Sequence, residues 1–270
     1  VKSTLASTLL FTLLIISTDT SGILTADEVI PSNPPLKWWK GNLHTHSLWS
    51  DGDDFPEMIA EWYRTHDYHF LALSDHNILS EGDRWLKRET VLKRGGHQVI
   101  EKYLNRFGKH WIELRGEPNT PGEEIRLKPL NEFRSLMETR GKFIMIASEE
   151  ISDRVKNKPV HLNASNLKEV IRPLGGNSVR EAIEANLRAV AEQAERSGRE
   201  IMVHLNHPNF GFAITAEDLA AAISERFIEV YNGHPSVEHL GKKGLRINPA
   251  AHVLRVAGLD LWLRGAGFSN

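Results

Sequence analysis

The 270-residue sequence contains no cysteine. That excludes disulfides, thiolate metal sites and lipid attachment to an N-terminal cysteine, so any metal centre must be built from histidine, aspartate and glutamate. An excess of positive charge is also lacking. With 33 Lys and Arg against 35 Asp and Glu, the net charge is -2 and the isoelectric point is near 6.7, so no nucleic-acid-binding patch is evident. The apolar run from Leu9 to Ile16 is well short of the roughly 20 residues a membrane-spanning helix needs. No Gly-x-Ser-x-Gly occurs, which argues against a serine hydrolase with a nucleophile elbow. Internal repeats and low-complexity tracts are absent as well.

What the N-terminus does contain reads as a targeting segment. Lys2 precedes the apolar run, and a small, polar stretch from Ser17 to Gly22 follows it. This is the order of a signal peptide, so residues 1–22 are expected to be a leader and the protein periplasmic or secreted, with no stable membrane span once the leader is removed. Residues 23–37, with Pro31, Pro34 and Pro35, read as a linker. The folded domain is expected over 38–270.

From Trp38 onward, short apolar runs alternate with helical patterns. Strands are expected at 41–47, 70–73, 143–147, 160–162, 201–203 and 227–230. Helices are expected at 56–66, 178–196 and 216–224, with Pro56 at the first helical position. Such alternation predicts an α/β fold with a parallel sheet or barrel. The charged segment 81–140, with helical patterns at 97–107 and 130–140, reads as a helical insertion over one end of the sheet.

There are 13 histidines, and they gather at strand ends. In Gly41-Asn42-Leu43-His44-Thr45-His46, strand alternation puts His44 and His46 on one face, able to grip one ion, with Asp51-Gly52 turning the chain back over it. His-x-His alone is equally at home on an ordinary solvated strand. Further strands end in Ser74-Asp75-His76-Asn77, in Ser148-Glu149-Glu150-Ile151-Ser152, in Val160-His161, in His204-Leu205-Asn206-His207-Pro208-Asn209 and in Glu229-Val230-Tyr231-Asn232-Gly233-His234-Pro235. Asp75 at its strand end could orient His76 or a neighbouring ligand, or be a turn former. Adjacent glutamates such as Glu149 and Glu150 are more often a solvated edge. Taken together, nitrogen and oxygen donors at successive strand ends point to one shared metal site.

The ordered set, from His-x-His through Asp-Gly, Asp-His-Asn, Glu-Ile-Ser, Asn-His-Pro-Asn and Glu-Val-Tyr-Asn-Gly-His-Pro, resembles the PHP (polymerase and histidinol phosphatase) superfamily over about residues 41–235. The resemblance implies a distorted (β/α)7 barrel holding two or three divalent metals (Zn, Mn or Fe) and, most commonly, phosphoester hydrolysis by a metal-activated hydroxide. Position by position it implies His44, His46, Asp51, His76, Glu150, His161 and His207 as metal ligands, with Glu150 bridging. Glu150 is taken over Glu149 because it opens Glu-Ile-Ser, and His207 over His204 because it precedes Pro208. Asp75 and His234 are expected to be catalytic, and Asn77, Asn232, Arg154 and Lys158 to meet the substrate, a small phosphate ester. Arg154 and Lys158 read more readily as solvated loop charges, since exposed Lys and Arg are the norm.

The resemblance also implies a closing Asp-x-His late in the chain, and none follows residue 235. Asp260 in Gly258-Leu259-Asp260-Leu261-Trp262 lies in a run similar to the approach to that motif, so 241–270 reads as an atypical or truncated tail. Fewer metals, and a chain without turnover, are one alternative that follows. Hydrolysis of a non-phosphate ester or an amide is the other, since these ligands do not name a substrate.

Overall fold

The computed structural model describes residues 37–234 and 237. The expected leader, most of the linker and the 241–270 tail lie outside the described residues. Among those described, no helix is long and apolar enough to cross a membrane.

The central sheet has five strands: β1 (Gly41–Asn42), β2 (Phe70–His76), β6 (Ile144–Val155), β7 (Lys158–Ser165) and β8 (Met202–Leu205), in the order β1-β2-β6-β7-β8. β2 reads Phe-Leu-Ala-Leu-Ser-Asp-His and is buried along nearly its whole length, as a strand covered on both faces must be. It pairs in parallel with β1 on one side and with the first half of β6 on the other, where Phe70 sits opposite Ile144 and His76 opposite Glu150. The second half of β6 pairs antiparallel with β7, which pairs antiparallel with β8. The result is an α/β fold with a mixed, strongly curled half-barrel sheet.

A complete (β/α)7 barrel is therefore not what the described residues form. Only Lys156 and Asn157 separate β6 from β7, with Lys156 in the left-handed region at φ 56°. A parallel connection needs a crossover of a dozen residues or more, so so tight a turn forces the hairpin that the expected alternation missed. The run expected to be a strand at 227–230 contributes one parallel bridge, Leu205 to Ile228.

Helix α1 (Pro56–Thr65) begins with Pro56 in its first turn. It packs on the outer face of β2 and β6 with α4 (Leu130–Met137), through Ala60, Leu71, Leu73, Phe133, Met137 and Met145. Helix α5 (Val179–Ser197) is capped by the Ser178 side chain, which accepts from the Glu181 N–H, and ends at Gly198 in the left-handed region, as strong caps at both ends should. It covers β7 and β8 through Val179, Ile183 and Leu187. The short α6 (Ala216–Ala221) starts with a reciprocal capping box between Thr215 and Asp218.

The 81–140 insertion is not only helical. Besides α2 (Arg88–Gly95) and α3 (Val99–Phe107) it holds an antiparallel sheet of β3 (Arg84–Lys87), β5 (Glu124–Leu127) and β4 (Leu114–Arg115). Its core joins Val91, Val99, Ile100, Ile125 and Leu127 to Leu48, Trp49 and Phe55 of the main domain, with the Phe55 and Tyr103 rings stacked at 3.9 Å. The insertion is thus anchored on the loop that carries Asp51.

Along β2 and β6 the inner face alternates Phe70, Ala72, Ser74, His76 and Ile144, Ile146, Ser148, Glu150. The first positions of each set join Leu43 in an apolar cluster. The last positions are polar. The core therefore gives way to chemistry at the carboxyl ends of the parallel strands, where α/β sheets place their sites.

Candidate metal centre

Glu150 is fully buried, yet five imidazoles converge on its carboxylate. His44 Nε2, His161 Nδ1 and His207 Nε2 lie 3.3, 3.2 and 3.2 Å from Oε1. His46 Nε2 and His76 Nδ1 lie 3.1 and 2.7 Å from Oε2. The Asn206 amide donates to Oε1 at 2.7 Å. Each contact follows from the fold: His76 is the register partner of Glu150 on β2, and His161 lies on β7 opposite Ser152, diagonal to Glu150. His44 and His46 follow β1, and His207 follows β8 with φ 21°, while Asn77 after β2 has φ 52°. Left-handed backbone at non-glycine residues is a pattern that clusters at functional sites.

Asp51 completes a second corner. Its Oδ1 lies 2.9 Å from His46 Nδ1 and its Oδ2 3.4 Å from His76 Nε2. A side chain at Gly52 would strike the His46 backbone at 2.6 Å, so only glycine lets this turn fold over the histidines. Three overlapping groups of side chains are able to hold a metal ion: His44, His46 and Glu150; His46, Asp51 and His76; and His76, Glu150 and His161.

The electrostatics agree with a cation site. Burial opposes charge on Glu150, but the facing imidazoles of His161, His207, His44 and His46 hold its carboxyl well below the ordinary carboxylate range. Burial likewise opposes charge on the His44 ring, and Glu150 and Glu229 overcome it, raising its pKa to about 9. For His46 and His76 the same opposition is overcome by Asp51 and Glu150, giving about 9 and about 10. His46 and His76 in turn pull Asp51 far down. In effect the cluster takes up protons to satisfy its carboxylates, a role that divalent cations fill in a loaded site. Two buried atoms at its heart, His46 Nε2 and Glu150 Oε2, have no hydrogen-bond partner although they lie 3.1 Å apart. A buried nitrogen and oxygen left without partners at this separation fit a cation held between them, and the N and O donor set suits a borderline divalent metal.

The other expected site residues are placed as follows. Asp75 is buried and turned away from the ring cluster: its Oδ1 accepts from Ser47 N–H at 2.8 Å, Ser50 N–H at 3.0 Å and Ser50 Oγ at 2.6 Å, and its Oδ2 from Ser47 Oγ at 2.8 Å. It thereby shapes the turn that carries Asp51. Asn77 ties β2 to β6, its Oδ1 accepting from Ser152 N–H at 2.8 Å. Asn232 donates to Glu229 at 3.1 Å and lies 3.3 Å from His44 Nδ1. His234 is exposed, with its ring 6.0 Å from that of Phe210, which in turn lies 5.2 Å from His207. Arg154 is exposed, and Lys158 faces Asp218 at 3.8 Å. Of the near misses, Glu149 points to the opposite face, where it accepts from Ile171 N–H at 2.6 Å and burial pushes its pKa to about 7, and His204 is buried on β8.

Three contributors were not foreseen. Glu229 accepts from His207 N–H at 3.0 Å and lies 2.9 Å from His44 Nδ1. Burial raises its pKa, but His44 outweighs this and brings it to about 2. Ser152 hydrogen-bonds His76 Nδ1, and Asn206 bridges Glu150 to Asn163. Glu229, Ser152 and Asn206 all stand inside the quoted motifs. Their spacing to a ligand offered the only sequence signal. Two large cavities, of about 1110 and 810 Å³, lie elsewhere and touch none of the clustered histidines.

No protein-family model matches the chain, and no curated protein matches it significantly. Among solved structures, a two-domain protein from Bacteroides vulgatus ATCC 8482, described as containing a predicted PHP-like metal-dependent phosphoesterase, is similar to it. The TM-score is 0.38 and the identity 17%, over 74% of this chain and 46% of that one. The chain thus spans less than half the length of that protein.

Proposed function

We propose that the chain is a metal-dependent hydrolase that cleaves phosphate esters, with two or three divalent ions held by His44, His46, Asp51, His76, Glu150, His161 and His207. The observation that carries this reading is the convergence of five imidazoles on one buried carboxylate. Divalent ions bound there supply Lewis acidity and lower the pKa of water to near neutrality.

The protein's own part is positioning and charge. Glu150, shared by two of the three donor groups, suits a bridging role. Glu229 and Ser152 fix the His44 and His76 rings, which sets their tautomers. Two divalent charges against the carboxylates of Glu150, Asp51 and Glu229 leave a positive remainder, which favours an anionic ester. His234, exposed beyond Phe210, is the residue we assign to hand a proton to the leaving oxygen.

Phosphomonoesters, phosphodiesters, carboxylic esters and amides should be screened against the chain loaded with Mn, Zn or Fe, beside direct metal analysis. Turnover of a phosphate ester with at least two bound ions supports the reading. Turnover of only carboxylic esters or amides moves it to the alternative chemistry, and fewer than two tightly bound ions counts against catalysis.

A further inference from the structure

Glu150 and the His44–Thr45–His46 segment are tied to one another by side chains outside the ligand set. β1 ends at Asn42, so the residues that carry the first two imidazoles lie beyond its ladder to β2. Polar side chains take over there. Asn42 Oδ1 accepts from His44 N–H at 2.8 Å, and Ser74 Oγ accepts from Thr45 N–H at 2.9 Å. The Thr45 carbonyl accepts from Ser74 N–H at 2.8 Å, and the Leu43 carbonyl accepts from Asn163 Nδ2 at 2.8 Å.

Asn163 is the register partner of Glu150 across β6 and β7, so the two side chains leave the same face of the sheet. Besides the Leu43 carbonyl, its Nδ2 reaches Ser74 Oγ at 3.3 Å. Its Oδ1 accepts from Asn206 Nδ2 at 2.9 Å, and its N–H donates to Asn206 Oδ1 at 3.2 Å. Asn206 Nδ2 also donates to Glu150 Oε1 at 2.7 Å. Ser74, Glu150, Asn163 and Asn206 are all buried, so these groups depend on one another for partners.

Both amides can face only one way. A carbonyl only accepts, which turns Asn163 Nδ2 toward Leu43, and a backbone N–H only donates, which turns Asn206 Oδ1 toward Asn163. Asn206 must therefore present its N–H groups to Glu150. Flipping either amide would set oxygen against oxygen or N–H against N–H where burial makes such a mismatch costly. An imidazole facing Glu150 donates or accepts according to its tautomer, whereas this amide donor is fixed.

We propose that Asn163 is a positioning residue of the metal centre. Through Asn206 it sets the Glu150 carboxylate, and through Leu43 and Ser74 it sets the backbone of His44 and His46. It thus holds the members of the His44, His46 and Glu150 donor group in register before an ion arrives, as a preorganised site requires. The inference rests on the metal-dependent reading of the site and not on which ester is cleaved.

Affinity of the full chain for Mn and Zn, read by competition against a fluorescent chelator, tests this. Asn163→Ala and Asn206→Ala should each weaken binding about ten-fold, as loss of a ligand's outer partner does. The double variant should lose less than the product of the two, because both amides serve one alignment. Gln193→Ala is the control for stability alone. That side chain is also buried, but it holds Lys168 and Glu169 in the loop after β7, so its loss should lower Tm and leave affinity unchanged. If Asn163→Ala does not fold, Ser74→Ala, which removes only the hydroxyl between Asn163 and Thr45, carries the test with a loss of the same order. Unchanged affinity in the Asn163 or Ser74 variant, or an equal loss in Gln193→Ala, overturns the positioning role. A double variant that loses the full product overturns the coupling through Asn206. A parent chain that binds no ion tightly removes the metal-dependent reading itself, and the proposal with it.

Discussion

Glu229 and His44 form an ion pair at 2.9 Å, with the opposite nitrogen of the same ring facing Glu150 at 3.3 Å. One imidazole is thus pinned between an outer and an inner carboxylate. Outer partners of this kind fix ring orientation and raise ligand basicity, and their loss typically costs about 10–100-fold in metal affinity. Glu229→Ala should lower affinity for Mn or Zn on that scale, more than Glu229→Gln, whose amide oxygen can still accept. Competition against a fluorescent chelator measures it. Unchanged affinity in the alanine variant would remove Glu229 from the site.

Much of this site was legible in the sequence because strand periodicity is short-range. Alternation along a 41–47 strand predicts that His44 and His46 share a face, and both do reach Glu150 although β1 ends at Asn42, while His76 and Glu150 each follow an apolar run that reads as a strand. Two things were not legible. Which strands run antiparallel depends on the Lys156–Asn157 turn, and a run of apolar residues looks the same in either direction. The roles of Glu229 and Asp75 depend on which partner tertiary packing brings to them. Asp75 sits beside a ligand in sequence, but it faces Ser47 and Ser50 in space. The insertion's small sheet was hidden by its charge, because exposed strands such as Leu114–Arg115 carry no apolar period.

Metal removal should act on stability as well as turnover. An ion that binds only the folded chain stabilises it by about 2.7 kcal/mol at a free concentration one hundred times its Kd. In a domain of this size that is a rise in Tm of roughly 5–10 °C. Dialysis against a chelator should lower Tm by that order and abolish hydrolysis, and returning the metal should restore both. A Tm that ignores the chelator would mean that no ion is held by the folded cluster.

Asp75 offers a test between bracing and chemistry. Its carboxylate collects four donors from Ser47 and Ser50, and although burial raises its pKa, those hydrogen bonds pull it back. Asp75→Ala strands the donors and should cost about 2–4 kcal/mol, while Asp75→Asn should keep most of the stability and measurable turnover. Denaturant melts read the first effect and steady-state kinetics the second. An asparagine variant of native stability but without turnover would make this carboxylate a participant in the reaction.

Glu57 on α1 provides a pH dependence remote from the metal cluster. Burial pushes its pKa to about 7, against hydrogen bonds from Tyr103 and Trp111. Its Oε1 takes both donors, with Trp111 Nε1 at 3.1 Å, and Oε2 has no hydrogen-bond partner. Below the ordinary glutamate pKa the group is protonated in both folded and unfolded chains and costs nothing. Between that value and about 7, the unfolded chain gives up the proton while the folded one keeps it, so stability falls as pH rises. Above this window the loss is complete, on the order of 2–4 kcal/mol. Glu57→Gln keeps an acceptor for Tyr103 and Trp111 but cannot ionise. The difference in stability between Glu57→Gln and the parent chain should therefore move in favour of the variant from pH 5 to pH 8, and then level off. Subtracting the two melting curves cancels the metal-site histidines, which titrate in both. A difference that stays flat with pH would show that Glu57 ionises as readily in the folded chain as in the unfolded one.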